Sequence, residues 1–105
     1  MKPLLYCVWS QVPPEAEEAW VEYMDKTHIP DVLATKLFVS AKRLKVLEGD
    51  TPGNYVLLFE LASKENFDTY LATKAKDLRE DHIKHFGNKV KSSRMVLEEG
   101  FFLKT

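Results

Sequence analysis

The residues of this chain that could do acid–base chemistry sit in two segments, Asp25-Lys26-Thr27-His28-Ile29-Pro30-Asp31 and His82-Ile83-Lys84-His85. Histidine titrates near neutral pH, so His28 can take or give a proton or hydrogen-bond a ligand. It also follows an amphipathic stretch, and the competing reading makes it a helix C-terminal residue that meets free carbonyls and the negative end of the dipole. Pro30 is structural on either reading. His82 falls four residues after Leu78 and four before Phe86, on the apolar stripe of a helix. It should point toward a sheet, either as a ligand-facing group or as a core histidine satisfied by a carbonyl or water. His85 lies one turn later, off the stripe, and partial exposure is expected. His82 and His85 have the i, i+3 spacing of a metal pair, but no third ligand is placed with them, and no metal site is expected.

Polar handles for a mostly apolar pocket would come from aromatic residues: Tyr6, Trp9, Trp20, Tyr23 and Tyr70. Aromatic residues at strand and helix spacing also simply build cores. Arg43 shares a strand face with Val39 and Ala41, where it either pairs with an acid or binds a ligand carboxylate. Glu60 interrupts an apolar strand, as a half-buried carboxylate, an edge residue or one side of an intersubunit salt bridge. No Gly-rich phosphate loop, nucleophile elbow or Walker-type lysine is present, and no cofactor is expected.

The elements that must position these residues follow from periodicity. Leu4 to Val12 reads as a strand stopped by Pro13-Pro14. The prolines open a helix in which Glu15, Glu17 and Glu18 sit at the positive end of the dipole. Ala16, Ala19, Trp20, Tyr23, Met24 and Thr27 form its buried face. Pro30 interrupts that pattern, with Asp31 to Thr35 a short further turn. Phe38 to Leu47 is a second strand, Glu48 to Asn54 a dense turn signal, and Tyr55 to Leu61 a third strand. Ser63 caps a second helix with the stripe Phe67, Tyr70, Leu71, Leu78, His82 and Phe86, stopped by Gly87-Asn88. Arg94 to Leu103 supplies a fourth strand, with Gly100 a possible bulge. The order β-α-β-β-α-β is the ferredoxin-like split βαβ arrangement: an α+β fold with a four-stranded antiparallel sheet and two helices on one face.

One domain accounts for all 105 residues. Hydrophobic residues make up 45% and charged residues 30%, the composition of a globular chain and not of a disordered one. With 15 basic and 16 acidic residues the chain carries no basic stripe for nucleic acid, and Lys89, Lys91 and Arg94 are too few to make one. Cys7, the only cysteine, sits in an apolar strand and reads as an inert buried thiol. No run reaches transmembrane length, and Met1 to Tyr6 lacks the apolar core of a signal peptide, so a cytoplasmic location without membrane attachment is expected. The sheet has apolar residues on both faces: Tyr55, Leu57, Phe59 and Leu61 on one, Val56 and Leu58 on the other. Met95, Val96, Leu97 and Phe102 repeat this pattern. With the helices covering one face, a second copy of the chain is expected to cover the other, as a homodimer through sheet faces.

Trp20 to Ala34, with its aromatic residue, acid and His28-Ile29-Pro30, followed by Leu37 to Arg43, resembles the dimeric α/β-barrel superfamily, above all its EthD-type members. Leu78 to Gly87 is a second similar segment, and with the element order the resemblance spans nearly the whole chain. It implies a dimeric α/β barrel with a ligand cavity between helices and sheet, in a superfold that hosts oxygenases, cyclases, isomerases, lyases and plain binders. The expectation is a small apolar or aromatic ligand. If the protein is an enzyme, the chemistry is cofactor-free proton transfer with His28 and His82 as acid and base, and Tyr6, Trp9, Tyr23, Arg43, Tyr70 and His85 around the ligand. The alternative is a non-catalytic dimeric binding or structural module with a filled core.

Overall fold

A computed structural model describes residues 3–105; the readings of Met1 and Lys2 lie outside the described residues. Strand β1 (Leu4–Gln11) is followed by helix α1 (Pro14–Tyr23), a π turn (Met24–His28) and helix α2 (Ile29–Ala34). Strands β2 (Ser40–Lys45) and β3 (Tyr55–Leu61) form a hairpin, and helices α3 (Lys64–Thr73) and α4 (Ala75–Phe86) lead into β4 (Lys91–Glu98). The sheet order is β2-β3-β1-β4 with every neighbour antiparallel. The fold is α+β and ferredoxin-like, with all helical segments coming from the two crossover connections.

The register sorts the sheet into two faces. Tyr6 lies between Phe59 and Val96, Val8 between Leu57 and Arg94, and Ser10 between Tyr55 and Ser92. Leu4, Tyr6, Val8, Tyr55, Leu57, Phe59 and Leu61 join Trp20, Tyr23, Met24, Val32, Phe67, Tyr70 and Phe86 in one core under the helices. Trp20 and Leu61 have no exposed surface at all. The opposite face carries Cys7, Trp9, Leu44, Val56, Leu58, Met95 and Leu97 by the alternation of strand side chains. Met95, Leu97 and Leu44 remain 41%, 46% and 42% exposed there.

The first crossover differs from expectation at the polar cluster. The chain does not leave the helix at Asp25 to Asp31; it stays helical through Pro30, which occupies the first turn of α2. Proline donates no backbone hydrogen bond and crowds the preceding turn. The strain is absorbed just ahead of it, where the N–H of Ile29 donates to the carbonyl of Met24, five residues back. The widened turn takes in one extra residue, as π turns do. His28 is therefore not a C-terminal cap.

The second crossover is two helices where one was expected. Ser63 caps α3 as expected, its Oγ accepting the N–H of Asn66 at 3.1 Å. The helix breaks at Lys74, whose φ of −118° lies off the helical value. The bend turns Ala75 into the core and leaves Leu71, placed on the buried stripe by periodicity, 44% exposed. Gly87 ends α4 with φ +57°, a backbone that suits glycine.

Strand β4 begins three residues earlier than expected and ends at Glu98, so Gly100 is not a strand bulge. The ladder stops where β1 does: Leu4 pairs with Glu98, and the N–H of Glu99 then reaches the Pro3 carbonyl at 3.0 Å. Phe101, Phe102 and Leu103 lie past this point and are exposed. Strand β2 is likewise shorter than Phe38 to Leu47: Phe38 turns into the core and Leu47 into solvent. The helices cover β1 and β3 but leave β4 exposed along its whole length, its helix-side residues Ser92, Arg94 and Val96 included. No described helix is long and apolar enough to cross a membrane.

The turn before β3 is tied to the end of β1. Asn54 Oδ1 accepts the N–H of Val12 at 2.8 Å, and its Nδ2 donates to the Val12 carbonyl at 2.9 Å. Gly53 lies so close that a Cβ there would sit 2.3 Å from the Ser10 carbonyl oxygen. Gly53→Ala should force this backbone contact apart and lower the unfolding free energy by about 1–3 kcal/mol in urea titrations. Gly100→Ala, where a Cβ meets open space, should be neutral.

Candidate functional site

Because the helices stop short of β4, a cavity of about 650 Å3 remains between α4 and the sheet. Tyr6, Val8, Ser10, Leu57 and Phe59 form its floor, extended across the edge strand by Ser92 and Arg94. Met24 and His28 from the π turn, Tyr70 from α3, and Arg79, His82 and Ile83 from α4 form the opposite wall. Gly87, Asn88 and Lys91 complete the rim beyond the end of α4. The volume suits a drug-sized molecule, and the mix of apolar surface with a few convergent polar groups is that of ligand sites.

The two histidines meet here, with ring centroids 6.0 Å apart. His28 reaches the cavity because the π turn holds it on the same side as Met24. Its Nδ1 is buried with no hydrogen-bond partner among the described residues. Burial lowers the His28 pKa to about 4, and the nearby His82 and Arg94 push the same way, against Asp81. His82 is half-buried and is also held below the ordinary histidine range by burial, with Arg94 and His85 adding to the effect. Both imidazoles are thus neutral at pH 7. The indole N–H of Trp20 donates to His82 Nε2 at 3.0 Å. A neutral imidazole whose Nε2 accepts must carry its proton on Nδ1, so the buried tryptophan fixes the His82 tautomer.

The remaining expected site residues divide. Tyr6 is on the floor, where its hydroxyl accepts from the Arg79 guanidinium at 3.0 Å. Tyr70 lines the wall, and burial pushes its phenol up to about 12, so it stays a hydrogen-bond donor. Tyr23 is buried behind the histidines and does not line the cavity; its ring lies 5.9 Å from His28 and 6.0 Å from His82. Its hydroxyl donates to Asp81 Oδ2 at 2.5 Å. That bond and the neighbouring His85 and Lys84 hold the Asp81 carboxyl below its usual range.

His85 is exposed and outside the cavity, its ring 4.4 Å from that of Tyr23 and its Nδ1 donating to the Asp81 carbonyl at 2.9 Å. Trp9 points to the opposite face of the sheet, because strand side chains alternate and Val8 and Ser10 take the cavity side. Arg43 is likewise outside: it makes a bidentate pair with Asp25 at 2.7 and 2.8 Å, tying β2 to the π turn. Of its two readings, pairing with an acid is the one that holds.

Arg79 and Arg94 were not anticipated. Arg79 sits three residues before His82 and so shares its helix face. Arg94 lies beside Val8 on β4, in the stretch Lys91-Ser92-Ser93-Arg94. That stretch is polar because it borders the cavity and not the core. No group of three or more His, Cys, Asp or Glu side chains among the described residues is arranged to hold a metal.

The model of the domain of unknown function DUF4286 matches residues 3–100. The chain belongs to the DUF4286 family. No curated protein matches it. Solved structures similar to this DUF4286 chain include an ethyl tert-butyl ether D (EthD) family protein from Bacillus halodurans, with a TM-score of 0.72 and 21% identity over 95% of this chain and 100% of that one. HapK from Hahella chejuensis is similar with a TM-score of 0.65 and 12% identity, over 99% of this chain and 100% of that one. A candidate monooxygenase from Shewanella loihica has a TM-score of 0.60 and 14% identity, over 100% and 99%. These likenesses establish the fold shared with EthD-type proteins.

The burial of His28 has a pH consequence. Unfolded, the imidazole titrates near 6.5; folded, near 4. Between these values the unfolded chain binds more protons, so stability is fully present above about pH 6.5 and is lost as pH falls toward 4. His82 adds in the same direction. Comparing urea unfolding at pH 7 and pH 4.5, His28→Gln should remove roughly 2–3 kcal/mol of the wild-type decline. An unchanged decline would contradict a neutral, buried His28.

Proposed function

We propose that this DUF4286 protein binds a small, largely apolar or aromatic molecule in the cavity between helices and sheet, and catalyses cofactor-free proton transfer on it. One observation carries the reading: two neutral histidines, one of fixed tautomer, stand side by side in the cavity lining. His28 is then the base. His82 is committed to Trp20 through Nε2 and serves as a donor through Nδ1–H. Tyr70 and Tyr6 supply further polar contacts to a ligand held against Phe59 and Leu57.

The protein is also read as a homodimer. Seven residues, Cys7, Trp9, Leu44, Val56, Leu58, Met95 and Leu97, give the sheet an apolar face with no helix over it, and the indole nitrogen of Trp9 is buried there without a partner among the described residues. A second copy packed face to face would cover this surface. Light scattering at micromolar concentration should report twice the chain mass of 12.1 kDa, and Met95→Glu with Leu97→Glu should halve it. A wild-type monomer would rule the dimer out.

The cavity reading is tested with two neutral probes. N-phenyl-1-naphthylamine should bind with enhanced fluorescence, as it does in apolar pockets. 5-Nitrobenzisoxazole reports general-base catalysis: the base takes the proton from carbon, the N–O bond breaks, and a cyanophenolate leaves. The wild type should accelerate this reaction and His28→Ala should reduce the acceleration about a hundredfold, with the naphthylamine still bound. Binding without acceleration would identify a non-catalytic binding module, and absence of binding would dismiss the cavity as a ligand site.

A further inference from the structure

The cavity lining has a charge composition unlike the rest of the chain. The whole sequence is nearly balanced, with a formal net charge of −1. The lining contains Arg79, Lys91 and Arg94 and not one carboxylate. Among the described residues neither Arg79 nor Arg94 forms a salt bridge; Arg79 donates to the neutral hydroxyl of Tyr6 instead. Four cations elsewhere are paired with acids, Lys26 with Glu22, Arg43 with Asp25, Lys45 with Glu17 and Lys64 with Asp68, and none of these borders the cavity. Asp81, the acid nearest the histidines, has a Tyr23 hydrogen bond and is not part of the lining.

Arg79 and Arg94 border this concave, largely apolar surface with no carboxylate in its lining, so an anion entering the cavity meets two guanidinium groups not engaged by an acid. Arg94 stands beside Val8 on the edge strand that extends the floor, and its charge reaches His28, His82 and Tyr70, lowering the pKa of each. With the imidazoles neutral, the positive field inside the cavity comes from the arginines and Lys91.

We propose that the ligand of this cavity is an organic anion, a planar aromatic carboxylate whose acid group is held by Arg94 and Arg79 and whose ring system lies along Tyr6, Phe59 and Tyr70. The proposal rests on the reading of the cavity as a ligand site and names its substrate class. A carboxylate fits the planar guanidinium fork in bidentate fashion, and the aromatic side chains suit a flat ring system. A phosphate fits less well. No glycine-rich loop of backbone N–H groups lines the cavity, and the end of α4 that borders it, at Ile83 and Gly87, is the negative end of the helix dipole.

The ligand and the histidines are then linked. A carboxylate on Arg94 screens the positive charge that helps hold both imidazoles down, so their affinity for protons rises when the site fills. The base becomes stronger in the complex than in the free protein.

The test uses the intact chain and matched probes, 2-naphthoate and its neutral isostere 2-naphthamide, each displacing N-phenyl-1-naphthylamine. Naphthoate should bind at least about tenfold tighter than naphthamide, the discrimination expected of a charge-assisted pair. Arg94→Gln should abolish that preference, lowering naphthoate affinity far more than naphthamide affinity with the melting temperature unchanged; Arg94→Lys should restore part of it. Arg79→Gln should lower naphthoate affinity with a smaller effect on naphthamide. Equal affinity for the two probes, or equal loss of both in Arg94→Gln, would overturn the anion assignment while leaving the cavity reading intact. Failure of all three aromatic probes to bind would instead refute the cavity itself. Inorganic phosphate at millimolar concentration should not displace naphthoate; if it does, the site is a phosphate site and the carboxylate assignment is wrong.

Discussion

The contact on which the rest of the site depends is the hydrogen bond from Trp20 to His82. An indole N–H with no access to water needs an acceptor, because leaving it unpaired in the core is costly. Trp20 is fully buried on α1, and the acceptor it meets is the imidazole of a residue on α4. One bond therefore joins the two crossover connections above the sheet. It also requires His82 Nε2 to be free of a proton, since a protonated imidazole would bring a second donor to the same place. Burial of the histidine and the positive charge of Arg94 favour the same neutral state. Packing, tautomer and electrostatics are satisfied by a single arrangement, and His28 and Tyr23 then gather around it.

Much of the fold was legible because its signals are local. Pro13-Pro14 before a run of acids, Ser63 at an N-cap, Gly87 after an apolar stripe and the alternation of Tyr55 to Leu61 each specify an element through short-range physics. The departures occur where a distant partner decides. The end of β4 is set by the length of β1, which a reading of β4 alone does not contain. The break at Lys74 brings Ala75 into the core, a choice made by the available space under the helices and not by the helical propensity of the segment. The π turn reconciles Pro30 with continued packing of Val32, whereas the proline read by itself suggests an ending.

The site was half legible for a related reason. His28, His82, Tyr6 and Tyr70 stand out as polar or aromatic residues on otherwise apolar patterns, and the cavity holds all four. Trp9 and Arg43 carried comparable chemistry but point elsewhere, one by strand alternation and the other by its pairing with Asp25. Arg79 and Arg94 went unrecognised because charge on a helix or an edge strand ordinarily means solvent. What distinguishes them is their place in a cavity lining that holds no carboxylate, which becomes visible only when the elements are assembled. The signal available beforehand was faint: Arg79 is three residues from His82, and Lys91 to Arg94 is a polar strand beside an apolar one.

Strand β1 shows how closely two roles are interleaved. Tyr6, Val8 and Ser10 face the cavity, while Cys7 and Trp9 between them face away, onto the uncovered side of the sheet. Neighbours in the sequence thus belong to different surfaces separated by one layer of backbone. Substitutions at even-numbered positions of the strand can reshape the cavity lining without altering the opposite face, and odd-numbered ones the reverse. A single inserted or deleted residue within the strand would exchange the two sets and damage both surfaces together. Lineages of such proteins are therefore free to diversify by point substitution along β1, with the cavity lining and the opposite face of the sheet evolving separately, but are barred from changing its length.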